Sequence, residues 1–151
     1  MKKVRGKIIP RWNHWQFYVD LAAPAPDKTL RRFAKPQIEF DIAFCEDVLA
    51  DNPRHLDALR ALAELYTRNG QCREGLRIDR QVVAACPRDP VAHYNLACSL
   101  SLTNRVEECF KVLRRAIRLG YRDFEHITND PDLEAARADR RWAELFSFIQ
   151  V

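Results

Sequence analysis

The sequence predicts an all-α fold: a short solenoid of helix-turn-helix units with C-terminal capping helices and an extended N-terminal arm. Three observations carry this. The chain of 151 residues matches itself at an offset of 34, from about Pro53 to Ile117, so that Ala58 falls on Ala92, Leu62 on Leu96, Ala63 on Ala97 and Glu74 on Glu108. A fixed period of that size marks stacked supersecondary units, each covering its neighbour's apolar face. Apolar residues within the matched region recur at helical spacing. Only 4 glycines occur, beside abundant Ala, Leu and Arg, which favours helix over strand.

The first helix of the first unit is read from Leu56 to Asn69, with Leu59, Leu62, Ala63, Leu65 and Tyr66 inward. Asn69-Gly70 stops it through a left-handed residue. A second helix runs from Cys72 to Ala85, with Leu76, Ile78, Val82 and Val83 inward, and Cys86-Pro87 ends it because the residue before a proline avoids helical geometry. Val91 to Leu102, the turn Thr103-Asn104, and Val106 to Leu119 closed by Gly120 repeat the pattern. Small residues, Ala63 with Gly75 and Ala97 with Cys109, stand where the paired helices would approach most closely; a large side chain there would overpack the crossing.

The Leu-Ala pair, Tyr66, Gly70, Gly75, Val82 and Pro87 together resemble the tetratricopeptide repeat, whose unit is about 34 residues. The second unit matches through Leu96-Ala97, Leu100, Cys109 and Ala116, with Asn104 for the turn glycine and Tyr121 for the closing proline. The resemblance implies a right-handed α-solenoid with two full units over residues 54–121. A half repeat, residues 37–53, precedes them: Ile38, Ile42, Cys45, Val48 and Leu49 form one apolar stripe ending at Asn52-Pro53. Pro24, Pro26 and Pro36 bar a regular helix throughout residues 22–36, leaving room for a short one from Asp27 to Ala34 with Asp27 as its cap. Residues 122–151 read as a cap on the open end and resemble the segment that closes bacterial arrays of this family. There Asp130-Pro131 starts a helix, and Trp142, Leu145, Phe146 and Ile149 share one face of another.

Residues 1–36 form a basic, aromatic arm and linker with nine Lys or Arg against Asp20 and Asp27; the remainder is slightly acidic, within a net charge of +4. Trp15, Phe17, Val19 and Leu21 alternate with polar residues as a strand would. A hairpin or an amphipathic helix from Asn13 are the competing readings, and an extended arm is the expectation. Lys2, Lys3, Arg5, Lys7 and Arg11, interleaved with Trp12, Trp15, Phe17 and Tyr18, suit nucleic-acid phosphates and bases. They equally suit an anionic membrane surface, or a solubilising cluster ahead of a packing segment. No apolar run approaches the roughly 20 residues of a transmembrane helix. With five cysteines, an odd number and none in a C-x-x-C pair, a reducing, cytoplasmic location is expected.

Nothing advertises chemistry. His14, His55, His93 and His126 lie in four segments with no metal-ligand spacing, and no catalytic or nucleotide-binding motif occurs, so no cofactor, metal or catalytic residue is expected. Recognition is the better reading. By the resemblance, first helices of successive units line a concave groove for an extended peptide or partner helix. That lining would be Asp57, Arg60, Glu64, Thr67 and Arg68, then Val91, Tyr94, Asn95, Cys98, Ser101 and Leu102. Asn95 stands where some members grip a peptide backbone or terminal carboxylate; the accompanying lysines are missing, and Glu64 would repel a carboxylate. The groove reads as charged on one side and apolar on the other, suiting a hydrophobic segment with polar flanks, unless the arm's own Trp12, Trp15 and Phe17 fill it. The expected function is a noncatalytic protein-interaction adaptor. The alternative is a structural subunit of a larger assembly, anchored by its arm to protein, RNA or membrane.

Overall fold

The structure, a computed structural model, describes residues 28–147. The chain divides into two compact units, residues 1–37 and 38–151, and of the first only the opening turns of one helix are described. The expectations for Lys2 to Tyr18, the Asp27 cap and Ile149 fall outside the described residues.

Among the described residues the order is helical throughout: α1 (Lys28–Asp51), α2 (Leu56–Arg68), α3 (Cys72–Ala85), α4 (Pro90–Leu102), α5 (Val106–Leu119), α6 (Phe124–Asn129), a 3-10 turn (Pro131–Leu133), α7 (Glu134–Arg137) and α8 (Trp142–Ser147). Helices α2 to α5 match the expected boundaries to within a residue. One boundary differs. The sequence predicts a break near Pro36, whereas α1 runs through Pro36 as a single helix of 24 residues. Pro36 has no N–H to bond the Arg32 carbonyl and its ring crowds that oxygen, a cost of about 3 kcal/mol that this helix carries without ending.

Side chains cap the starts of α2 and α4. His55 caps α2 by accepting the Ala58 N–H at 3.2 Å, and Asp89 caps α4 by accepting Val91 N–H at 2.8 Å, with Pro90 in the first turn. The two hairpin turns need a left-handed residue: Gly70 takes φ 79° in one and Asn104 takes φ 59° in the other. Asparagine is among the few residues that adopt this region at small cost. Within the first hairpin a Cβ on Gly75 would stand 2.7 Å from Thr67 Oγ1 and 3.2 Å from the Ala63 carbonyl oxygen. The helices therefore touch where the small residues predict. In the second hairpin Ala97 and Cys109 are both fully buried.

Consecutive helices pack in order, α2 on α3, α3 on α4 and α4 on α5, and α4 also carries the 3-10 turn and α7. Two apolar clusters result. One joins Ile42 and Cys45 of α1 to the first hairpin; the other joins the second hairpin to Ile127, Leu133, Ala136 and Leu145 of the cap. Burying each large side chain contributes about 1.5–3 kcal/mol, which is how helices this short are held. All five cysteines are free thiols, with Cys45, Cys98 and Cys109 buried.

Candidate protein-interaction surface

The exposed face of α2 is built from residues at helical spacing: Asp57, Arg60, Glu64 and Arg68 follow one another every three or four positions. Asp57, Glu64 and Arg68 are exposed, while Thr67 is half-buried against Gly75. Arg60 is not available to a ligand in the same way. Its guanidinium donates to Asp89 Oδ2 at 2.5 Å across the hairpins, and only about a sixth of its side chain is exposed. Burial pushes the Asp89 carboxyl up, but Arg60 and the N–H groups of Val91 and Ala92 outweigh it and hold the acid below its usual range.

The corresponding face of α4 is closed by the chain's own cap. Tyr94, Cys98 and Ser101 are all buried. The Tyr121 ring stacks on Tyr94 with centroids 4.2 Å apart and planes 9° from parallel. Tyr94 donates its hydroxyl to the Asp130 carboxylate, which also receives the Cys98 thiol at 3.6 Å and has His126 Nε2 at 3.5 Å. Ala136 N–H donates to Ser101 Oγ at 3.4 Å, bringing α7 onto the end of α4. Burial, with the Asp130 carboxylate beside them, drives the Tyr94 and Cys98 pKa values well up, so both stay neutral. Three of the six α4 residues expected to line an open groove are thus seated against residues 121–136. Val91 remains half-exposed, Asn95 exposed, and Leu102 exposed at 36%.

The cap closes the open end with further contacts that the sequence did not specify. Arg141 forks onto Asp139, with Nε to Oδ1 and Nη2 to Oδ2 both at 2.9 Å, and also donates to Glu107 of α5. Its guanidinium carbon lies 5.1 Å from the centre of the Phe110 ring, against which Trp142 packs at 6.5 Å. Hydrogen bonding to Arg141 lowers the Asp139 pKa to about 2.

One acid, Asp79, is buried at a position where its residue type predicts exposure. Asp79 of α3 is 6% exposed and accepts the Ser99 hydroxyl of α4 at 2.6 Å. Burial raises its pKa to about 7; Glu64 adds to the rise and the Ser99 hydroxyl opposes it. The 34-residue self-match held the signal, because it aligns Asp79 with Leu113, which is fully buried. Phe40 and Phe44, one turn apart on the outer side of α1, are the most exposed large apolar side chains among the described residues, at 66% and 60%. No group of three or more His, Cys, Asp and Glu side chains among the described residues is arranged to hold a metal ion. No described helix is long and apolar enough to cross a membrane.

No family model matches the chain. Among curated proteins it is similar to a chloroplastic protein of Arabidopsis thaliana, with 36% identity over 83 residues, 53% of this chain and 25% of that protein. The matched part thus spans a quarter of the relative's length. Among solved structures it is similar to MamA, from residue 41 to its end, of Desulfovibrio magneticus RS-1. The TM-score is 0.55 at 18% identity, covering 77% of this chain and 68% of that one. At that identity the likeness establishes the fold alone, a solenoid of paired helices.

Proposed function

We propose that this protein is a noncatalytic adaptor that binds a peptide segment or partner helix along the exposed face of α2, extending to Asn95 of α4. One observation carries the reading: the exposed face of α2 and the corresponding face of α4 are chemically different, and among the described residues it is the α4 face that the C-terminal cap covers. Asp57, Glu64 and Arg68 stay exposed on a face that has no apolar side chain needing cover. Such a face suits a segment that contributes polar and charged contacts. Affinity would come from a few fully desolvated residues rather than from area alone.

The test compares proteins captured from extract by three versions of the chain. These are the intact protein, Asp57→Lys with Glu64→Lys, and a version lacking residues 1–22. Tyr94→Ala is unsuitable as a groove probe, because Tyr94 holds the cap. Loss of the same captured partner in the double variant, with retention in the truncated version, supports α2. Loss only on truncation refutes it.

That second outcome would favour the other reading, a structural subunit anchored by its N-terminal arm. The observation behind it is the concentration of nine basic residues and the aromatic group Trp12, Trp15, Phe17 and Tyr18 in residues 1–36.

A further inference from the structure

A cleft of about 350 Å³ lies between α3 and the turn joining α4 to α5, lined by Arg73, Leu76, Arg77, Arg80, Thr103 and Arg105. The protein itself shows how a cleft at this place is filled. One repeat later the equivalents of Arg73, Leu76 and Arg105 are Glu107, Phe110 and Asp139. There Arg141 bridges Glu107 and Asp139 while lying over the Phe110 ring. One charged side chain thus spans two opposite charges above an apolar floor. In the earlier repeat the floor is Leu76 and the two flanking charges are reversed in sign.

By repeat symmetry the side chain one period before Arg141 is Glu107, a carboxylate of the right sign. It is engaged elsewhere, with Arg141 and with Lys111 at 3.4 Å, and is not among the residues lining the cleft. Two acids beside the cleft take part of its charge: Glu74 meets Arg77 at 3.1 Å, and Glu108 meets Arg80 at 3.2 Å and Arg105 at 2.5 Å. Four arginines against two carboxylates leave an excess of positive charge, and each guanidinium has five donors. Arg73 makes no ion pair with these acids and is exposed.

We infer that this cleft is a second docking site, which takes a carboxylate side chain from an acidic segment of a partner protein, bridging Arg73 and Arg105 above Leu76. Planar guanidinium groups bind carboxylates in paired hydrogen bonds, and the charge-assisted bond is the strong kind. There is room for a peptide. A neighbouring depression of about 510 Å³ shares Arg73 and Thr103 with the cleft and adds the exposed Leu102 as an apolar contact. Nucleic acid fits less well, because no aromatic side chain lines either depression to stack a base.

The probe is a fluorescein-labelled hexaglutamate peptide titrated with the full chain and read by fluorescence anisotropy. The intact chain is expected to bind it, with affinity falling as salt rises. Arg73→Glu with Arg105→Glu should weaken binding at least about tenfold, against threefold or less for Arg115→Glu with Arg118→Glu. The second pair changes net charge equally, at exposed sites on α5 outside the cleft. Circular dichroism melts of both variants establish that they are folded. Equal weakening by the two pairs, or absence of binding to the intact chain up to about 1 mM peptide, overturns the proposal. So does tighter binding of a thymidine dodecanucleotide than of the peptide, lost on the same two substitutions, which would assign the cleft to nucleic acid.

Discussion

The two repeats share a backbone plan and differ in what the corresponding faces of their first helices, α2 and α4, carry. Aligned at the 34-residue offset, Asp57, Arg60, Glu64, Thr67 and Arg68 of the first fall on Val91, Tyr94, Cys98, Ser101 and Leu102 of the second. The polar set stays largely at the surface; of the second set, Tyr94, Cys98 and Ser101 lie under the cap. Side-chain chemistry, not backbone geometry, decides which of the two faces the C-terminal cap covers. An apolar face at the end of an array costs too much to leave in water, so the sequence that follows supplies Tyr121, Leu133 and Ala136 to cover it. A charged face carries no such penalty and can remain open.

Breaking the covered side should have the largest effect. Leu133 is fully buried against the second hairpin, and Leu133→Ala is expected to cost about 2–5 kcal/mol in chemical denaturation. Leu102→Ala, at an exposed position of the same α4 helix, should change stability by less than about 0.5 kcal/mol. Similar losses for both would mean that the cap is not seated on α4.

The next effect concerns Asp79, buried in the first repeat where the second has the fully buried Leu113. The folded-state pKa of Asp79, about 7, lies above the roughly 3.9 of an unfolded aspartate. The folded protein therefore binds more protons than the unfolded chain between those values. Stability from this group is complete below about pH 4 and is lost as pH rises through 7. Asp79→Asn removes the charge while keeping a partner for Ser99. It should raise stability at pH 8 by about 1–3 kcal/mol, with little change at pH 4. Equal effects at both pH values would show that Asp79 does not titrate there.

A smaller test sharpens the comparison of the hairpin crossings. Gly75→Val must displace Thr67 Oγ1 and press on the Ala63 carbonyl. It should lower stability by about 1–3 kcal/mol, seen as a reduced denaturant midpoint. An unchanged midpoint would mean that α2 and α3 do not meet at that residue.

Much of this fold was legible because each signal was local and repeated. Gly70 and Asn104 mark the turns, Pro87 and Gly120 the ends, and Gly75 and Cys109 the crossings. A period of 34 then fixes which helix follows which. Pro36 misled because its effect on a helix depends on the surrounding ladder, which composition does not show. The α4 lining was harder still. Tyr94 and Cys98 look alike whether they await a partner or receive the chain's own Tyr121 and Asp130, since those contacts join residues 27–36 positions apart. Asp79 was hidden by its residue type, which ordinarily belongs at the surface.

Site-resolved alkylation tests the account most directly. Iodoacetamide at pH 8, followed by peptide mass spectrometry, reports each of the five thiols separately. The half-buried Cys72 and Cys86 are expected to react first while the buried Cys98 is protected. In Leu133→Ala, Cys98 should become reactive while Cys45, in the other apolar cluster, stays protected. Labelling of Cys98 in the intact chain as fast as Cys72 would contradict it, for α4 would then be uncovered.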